Sequence, residues 1–287
     1  MSTNTTIPAI VDIEKIIGTK KPKLLKRLPR FVLNYIKRTI HQDEVNYVLH
    51  TYGNLRALKS LEFNDTVIKE HWKSWYTAHG LENIPLGERY IFASNHPLGA
   101  FDGLILMSAI GSRFPELRFI VNDILLYLKA FDPLFVPVNK HGRQSMEYAK
   151  LIEDTYASDK QVLYFPAGLC SRRIQGKITD LPWKPNFIQK AVQYKRHIVP
   201  IYFEGRNSNF FYRLANFRKR LGIKANIEMF YLPDEFFKQK NRHFNLYFGK
   251  PIPYETFDKS RSAVAWTQYV REQVYNLAPT KNIEKKK

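Results

Sequence analysis

Residues 90–103 read YIFASNHPLGAFDG and combine three elements from which the fold class can be predicted. Tyr90–Ser94 is a short apolar run typical of a buried strand, and Gly103–Ile110 continues with the apolar spacing of a helix. Between them, a Gly/Pro loop carries His96 and Asp102. A strand, a polar loop and a helix in this order predict an α/β layer fold. Active sites in such folds gather on the loops at the carboxyl ends of the strands.

The same alternation continues along the chain and predicts a largely parallel central sheet of about seven strands flanked by helices. The predicted strands are Tyr90–Ser94, Leu117–Val121, Leu134–Val138, Gln161–Phe165, Ile198–Phe203, Asn226–Tyr231 and Phe244–Phe248. The predicted helices are Gly103–Ile110, Arg143–Tyr156, Asn186–Lys195, Asn209–Leu221 and Ser260–Tyr275. We expect an N-terminal helical segment over residues 1–80, one domain over 81–278 and a disordered basic tail over 279–287.

The composition describes a globular chain with a large positive excess. The 287 residues include 45 Lys+Arg against 26 Asp+Glu, a formal net charge of +19, and 44% are hydrophobic. This content excludes general disorder, and the single cysteine excludes an internal disulfide framework and fits a reducing compartment. No secretory signal and no apolar run of about 20 residues is visible, so we expect no membrane-spanning helix. The charge indicates a polyanionic partner: nucleic acid, an anionic membrane or an acidic substrate.

Basic residues concentrate near the N-terminus. Thr19–Ile40 holds eight Lys or Arg and no acid, and its apolar residues follow a helical stripe that Pro29 should kink or split. Such a pattern is typical of an interfacial membrane anchor and equally of a surface helix that packs on the core. A second basic segment, Phe210–Lys224, leaves the same two interpretations open.

Three further loops follow predicted strands, and one of them is Glu204–Ser208, which comes after Ile198–Phe203. Lys140 and Arg143 precede a helix and could receive phosphate oxygens, or be ordinary surface charges. The loop after Gln161–Phe165 carries a larger set: Gly168, Cys170, Ser171, Arg172 and Arg173. Its glycine allows close backbone approach and its arginines offer forked donors, whereas the lone cysteine is more typical of a small core residue than of a nucleophile.

These loops, in this order, resemble the motif blocks of the glycerolipid acyltransferases, the superfamily of the lysophosphatidic-acid and lysophospholipid acyltransferases. The matching blocks are Asn95-His96…Asp102, Val136–Arg143, Phe165–Arg173 and Val199-Pro200. Two features depart from the family pattern: five residues rather than four separate His96 from Asp102, and Ala167 stands where the family has Glu. The departures resemble a bacterial side branch that acylates amino-acid lipids such as lyso-glycine or lyso-ornithine lipids, and whose members include proteins labelled haemolysins.

The resemblance implies an O-acyltransferase in which His96 takes the proton of an acceptor hydroxyl and Asp102 orients His96. It implies an acyl carrier protein or acyl-CoA as donor, a lyso-lipid as acceptor, no cofactor and no metal. Backbone N–H groups of the Pro166–Gly168 turn are candidates for an oxyanion site. The residues expected to bind substrate are Asn95, Lys140, Arg143, Gly168, Ser171, Arg172 and Arg173.

The resemblance and the basic N-terminus together predict a peripheral protein on the cytoplasmic face of the bacterial inner membrane. Two alternatives remain open at this point. One is a catalytically inactive module of the same fold that binds lipid surfaces. The other is a nucleic-acid-binding protein, for which the sequence shows no recognised motif, so that we expect no nucleic-acid partner.

Overall fold

The computed structural model describes residues 10–138 and 145–279. Within these two ranges, seven strands form one sheet in the order β1-β9-β8-β2-β5-β3-β4, and two more form a small antiparallel hairpin, β6-β7. The strands are β1 Trp75–His79, β2 Tyr90–Ser94, β3 Leu117–Asn122, β4 Phe135–Val138, β5 Gln161–Tyr164, β6 Arg172–Ile174, β7 Lys177–Thr179, β8 His197–Phe203 and β9 His243–Phe248. The expected α/β class is confirmed.

Eleven α-helices surround the sheet in the described part of the chain. They are α1 Ile13–Lys20, α2 Pro22–Leu25, α3 Arg30–Thr39, α4 Gln42–Val48, α5 Ser60–Thr66, α6 Phe101–Gly111, α7 Ser145–Ala157, α8 Asn186–Gln193, α9 Asn209–Arg220, α10 Leu232–Phe237 and α11 Ala263–Asn276. Helices α4 and α5 each continue as a wider π-helical turn, and short 3₁₀ turns connect several elements. None of these helices combines the length and apolar character needed to cross a bilayer.

Strand β2 lies at the centre of the sheet, paired in parallel with β5 on one side and β8 on the other. All five of its residues are buried, because helices cover both faces of the sheet at this position. Strand β9 pairs antiparallel with β8, and β1 pairs parallel with β9. Strand β9 and the edge strand β1 therefore run antiparallel to the other five strands, and the sheet is mixed.

The structure corrects the prediction in two places. Trp75–His79 was expected to be helical and forms edge strand β1, whose side chains are all exposed or half-buried, so that no apolar run marks it. Asn226–Tyr231 was expected to be a strand, but Ile227–Tyr231 forms a 3₁₀ turn that leads into α10. Glu228 is fully buried there in an ion pair with Arg172, which fixes the segment outside the sheet.

The expected break at Pro29 is confirmed, because this residue stands immediately before α3 and separates it from α2. The apolar stripe of this region is not core. Leu24, Phe31 and Tyr35 are exposed, whereas Leu33 of α3 is buried. The tail residues 280–287 lie outside the described residues.

Candidate active site

The site lies where the carboxyl ends of β2, β5 and β8 meet. The chain leaves β2 through α6 toward β3 on one side of the sheet, whereas it leaves β5 through α8 toward β8 on the other side. Helices that diverge in this way open a crevice at the strand ends, which is the usual binding position in an open α/β sheet. His96 follows β2 by two residues and therefore lies at this crevice.

His96 and Asp102 form a hydrogen-bonded pair. His96 Nδ1 lies 3.0 Å from Asp102 Oδ2, and the Asp102 side chain is fully buried. Asp102 also accepts backbone N–H groups from Leu98, Gly99 and Gly103, at 2.9, 3.3 and 2.9 Å. It lies in the first turn of α6, where the helix dipole favours negative charge. With Nδ1 donating to this carboxylate, Nε2 is the nitrogen that can accept a proton.

The loop between His96 and Asp102 needs a glycine at its tightest point. Gly99 has a φ of +85°, and a Cβ atom there would lie 2.8 Å from the Leu232 side chain. The extra residue relative to the family spacing therefore fits in a left-handed turn, and the His–Asp contact is kept.

A buried carboxylate, Asp180, holds the other side of the histidine loop. Its Oδ1 accepts the backbone N–H of His96 at 3.2 Å and the hydroxyl of Ser171 at 2.5 Å, and its Oδ2 accepts the indole N–H of Trp183 at 2.9 Å. Burial raises the pKa of Asp180 above its ordinary value. The backbone N–H of Ser171 donates in turn to the His96 carbonyl at 2.7 Å. Ser171 therefore contacts the His96 loop directly through its backbone and, through Asp180, by its side chain.

The turn after β5 supplies an aromatic ring beside His96 and a candidate oxyanion donor. The Phe165 ring stacks on the His96 imidazole with 3.9 Å between centroids. In the expected Pro166–Gly168 donor set, proline has no N–H and the Gly168 N–H donates to the Phe165 carbonyl at 3.0 Å. The Ala167 N–H has no acceptor among the described residues, and it is the remaining donor of that turn. Gly168 itself has a φ of +65°.

Arg172 points away from the crevice and into the protein. Its Nη2 lies 2.8 Å from Glu228 Oε1, and its Nη1 donates to the Cys170 carbonyl at 2.6 Å. Both side chains of the ion pair are almost completely buried. This geometry supports a structural role for Arg172, and its predicted contact with substrate stays a prediction. Burial raises the pKa of the Cys170 thiol to about 12, which disfavours a nucleophilic thiolate.

Asn95 closes a bridge between two strands. Its amide nitrogen donates to the Phe203 carbonyl at 3.0 Å, and its amide oxygen accepts the Phe203 N–H at 2.7 Å. The side chain thereby continues the β2–β8 pairing past the end of the backbone ladder. This double bond holds Asn95 in a framework position beside His96, and its predicted substrate contact stays a prediction.

Of the other predicted site residues, Arg173 lies half-buried on β6 and reaches helix α9, where its Nη2 donates to Asn209 Oδ1 at 2.7 Å. Lys140 and Arg143 lie outside the described residues, so their predicted role is not addressed. The structure thus brings His96, Asp102, Ser171 and the Gly168 turn together at one end of the sheet.

Sequence reasoning missed three charged residues around this loop. Asp180 follows the β6–β7 hairpin, Lys184 lies close to Gly168, and Glu235 of α10 holds the backbone N–H and hydroxyl of Ser208, both at 2.6 Å. A Cβ atom on Gly168 would lie 3.2 Å from Lys184 Nζ. None of the three lies in a motif block of the family. For Asp180 and Lys184, the signal in the sequence was that residues 180–184 follow closely after the block Phe165–Arg173.

Comparison with known proteins agrees with this geometry. The sequence profile of the family described as "Acyltransferase" matches residues 15–283. The lyso-glycine lipid O-acyltransferase of Bacteroides thetaiotaomicron is 45% identical over 269 residues, which span 93% of this chain and 97% of the relative. The enzyme of the same name from Phocaeicola vulgatus is also 45% identical, over 93% of this chain and 95% of the relative.

A solved structure also aligns with the chain: the 1-acyl-sn-glycerophosphate (LPA) acyltransferase PlsC from Thermotoga maritima. It has a TM-score of 0.46 and 15% sequence identity, and the alignment covers 93% of this chain and 94% of that protein. The family profile and the two 45% identical relatives each span nearly the whole chain, including the His96–Asp102 pair. The chain therefore belongs to the acyltransferase family, and it is an O-acyltransferase.

Proposed function

We propose that the protein transfers a fatty acyl chain from a thioester donor to the hydroxyl of a lyso-lipid that carries an amino-acid head group. The observation that carries this proposal is the His96–Asp102 pair, held at 3.0 Å at the crevice of an α/β sheet. A histidine oriented by a buried carboxylate is suited to remove the proton of a weakly acidic hydroxyl.

The proposed reaction needs no covalent enzyme intermediate. His96 Nε2 takes the hydroxyl proton while the acceptor oxygen forms a bond to the thioester carbonyl carbon. Asp102 stabilises the resulting imidazolium, and the Ala167 N–H, which has no acceptor among the described residues, donates to the carbonyl oxygen as it gains negative charge. The carbon–sulfur bond then breaks, and the departing thiolate receives the proton from His96. The products are the ester and a free thiol.

The acceptor class follows from the two 45% identical relatives, both named lyso-glycine lipid O-acyltransferase. Glycine has no hydroxyl, so O-acylation of a glycine lipid requires a hydroxyl on the fatty chain that glycine already carries. A lipid of this kind is the acceptor we propose here. The proposed donor is an acyl carrier protein or acyl-CoA, since either supplies the thioester.

The test is acyl transfer by purified protein to a hydroxyacyl glycine, with acyl carrier protein and CoA thioesters assayed separately. We expect transfer by the wild type and a loss of at least a hundredfold in kcat for His96→Gln, because general base catalysis contributes about 10²–10⁴-fold. His79→Gln, an exposed histidine on β1, is the matched control. Full activity of a folded His96→Gln variant, or lipid binding without transfer by the wild type, would contradict the proposal.

We further propose that the enzyme works as a peripheral protein on the anionic, cytoplasmic face of the bacterial inner membrane. The support is a surface on which the two basic segments meet. Tyr35 Oη of α3 lies 2.8 Å from Tyr231 Oη, and the Tyr231 ring packs edge-on against Phe210 of α9, with 5.1 Å between centroids. We call this surface the aromatic-basic face.

Exposed apolar side chains extend the aromatic-basic face in both directions. Phe31 of α3 is 74% exposed and Phe217 of α9 is 59% exposed, while the opposite side of α9 buries Phe211 and Tyr212 in the protein. Exposed cations flank these rings on both helices: Lys23, Lys26, Arg27 and Arg30 near α3, and Arg213, Lys219, Arg220 and Lys224 near α9. Aromatic rings between cations are typical of proteins that rest on anionic lipid.

Sedimentation with vesicles tests this surface. Neutralising Lys23, Lys26, Arg27 and Arg30 together should weaken binding to vesicles that contain phosphatidylglycerol, by about 1 kcal/mol per cation near the surface. Neutralising Lys160, Lys195 and Lys250, which lie just before β5, just before β8 and just after the antiparallel β9, at the other end of the strands from His96, should change binding little. Unchanged binding of the first variant would contradict the membrane proposal and leave the acyl-transfer proposal intact.

A further inference from the structure

Arg173 of strand β6 and Arg206 of the loop after β8 converge on one side chain at the start of helix α9. Arg173 Nη2 and Arg206 Nη2 donate to the same atom, Asn209 Oδ1, at 2.7 and 2.6 Å. The Arg173 guanidinium also lies over the Tyr212 ring, 5.1 Å from its centroid. Neither arginine has a carboxylate partner among the described residues, although like charges held this close repel each other.

The surroundings of this pair add to its attraction for an anion. The pair lies at the N-terminus of α9, a helix of 12 residues, where the helix dipole is positive. Glu235 is the nearby acid, but it bonds Ser208 and is also paired with Lys238 at 2.9 Å. The positive charge of the two guanidinium groups is therefore not neutralised by it.

A buried amide next to the pair has unused hydrogen-bonding capacity. Asn207, between Arg206 and the helix, is 2% exposed, yet neither its amide oxygen nor its amide nitrogen has a partner within the described residues. Buried side-chain amides normally have partners, so these two atoms can bind a polar group of a ligand or a water molecule.

The arginine pair belongs to the same loop system as His96. The backbone N–H of Ser171 donates to the His96 carbonyl. Arg173 lies two residues after Ser171, and two residues of an extended strand span roughly 7 Å. Arg206 lies three residues after Phe203, to which Asn95 is bonded through both amide atoms. The chain segments that carry both arginines are thus tied to the His96 loop by hydrogen bonds.

We propose that Arg173, Arg206 and Asn209 form a subsite for the free carboxylate of the acceptor head group. This inference rests on the proposed function. Glycine joined to the fatty chain through its nitrogen keeps a carboxylate, whereas glycine joined through its carboxyl group keeps an ammonium. Two unneutralised guanidinium groups bind the first and repel the second. The subsite therefore selects N-acylated amino acids, and it holds their carboxylate in forked hydrogen bonds.

The experiment compares two acceptors in the full-length protein: an N-(hydroxyacyl)glycine and its uncharged methylamide. Arg206→Ala is the principal variant, because this side chain is exposed and its removal leaves the core untouched. Lys177→Ala, an exposed cation in the same hairpin as Arg173, is the matched control. We expect Arg206→Ala to raise the KM for the carboxylate acceptor at least tenfold, with little change in kcat and little change for the methylamide.

The alternatives give different results. An equal loss with both acceptors would overturn the subsite, because the arginine would then act without reading the carboxylate. A rise confined to the KM of the thioester donor would also overturn it and assign the arginine to a donor phosphate. Absence of transfer to either acceptor by the wild type would instead refute the proposed function, and this is seen before any variant is made.

Discussion

Replacing Asp102 with Asn tests the central claim that a buried carboxylate prepares His96 for proton transfer. The side chain accepts four donors: His96 Nδ1 and the backbone N–H groups of Leu98, Gly99 and Gly103. An amide offers one oxygen in place of two, so its NH₂ group must face one of these donors. If it faces His96, the ring must take the tautomer whose Nε2 cannot accept a proton.

The size of the effect follows from the geometry. The His96 and Asp102 side chains are 3.0 Å apart at their nearest atoms. Charges about 4 Å apart attract by about 4 kcal/mol at an effective dielectric constant of roughly 20. Since about 1.4 kcal/mol corresponds to a tenfold change in rate, losing this attraction in the transition state should lower kcat by about a thousandfold. Stability should fall by about 1–3 kcal/mol for the donor left unpaired.

Steady-state acyl transfer, measured with saturating donor and varied acceptor, is the assay. Asp159→Asn, at an exposed position, is the control for loss of one negative charge. We expect the Asp102→Asn loss in kcat rather than in acceptor KM, since the carboxylate acts on charge that forms in the transition state. A folded Asp102→Asn enzyme with kcat within threefold of the wild type would refute the role assigned to the pair.

Three further predictions concern buried groups. Asp180→Asn should lower the unfolding free energy by about 1–3 kcal/mol, because the new NH₂ group faces either the Trp183 N–H or the His96 N–H and the Ser171 hydroxyl. Denaturant unfolding measures this loss, which should be smaller in a Trp183→Phe background. The pKa of Asp180 is raised in the folded state, so its contribution to stability is complete at low pH and is lost as the pH rises through the folded pKa. The difference in unfolding free energy between the wild type and Asp180→Asn should therefore become smaller from pH 4 to 7. Glu228→Gln should cost about 3–5 kcal/mol of unfolding free energy, since Arg172 would remain buried without its counter-charge; a cost under about 1 kcal/mol would contradict this. The Cys170 thiol, buried with its pKa raised to about 12, should resist iodoacetamide at pH 8 in the native protein and react once urea unfolds it; rapid labelling of the native protein would show that the thiol is accessible.

The sequence predicted the parts of the fold that rest on apolar runs between helices. Strand β2 has the predicted bounds, because Tyr90–Ser94 is buried on both faces and reads as a continuous apolar run. Strand β1 was missed because an edge strand with exposed side chains has no such apolar run. It is held in the sheet by its pairing with β9. The composition of Ile227–Tyr231 is typical of a strand, but the segment forms a 3₁₀ turn in which the buried Glu228 is paired with Arg172.

The site was predictable where one short loop holds both partners, as with His96 and Asp102. It was less predictable where partners come from distant parts of the chain. Arg172 looked like a substrate ligand until its counter-charge, 56 residues away, was seen to bury it. Arg206 was visible in the sequence only as one residue of the loop Glu204–Ser208, because its convergence with Arg173 on Asn209 depends on how β6 packs against α9.

The Asn95 bridge has a consequence for the choice of substrate. By bonding Phe203 through both amide atoms, Asn95 fixes the spacing between the loop that ends β2 and the loop that ends β8. His96 lies on the first loop and Arg206 on the second. With Arg206 binding the carboxylate as proposed, this brace should make the enzyme select lipids by the number of atoms between the hydroxyl and the carboxylate, and not by the length of the fatty chain.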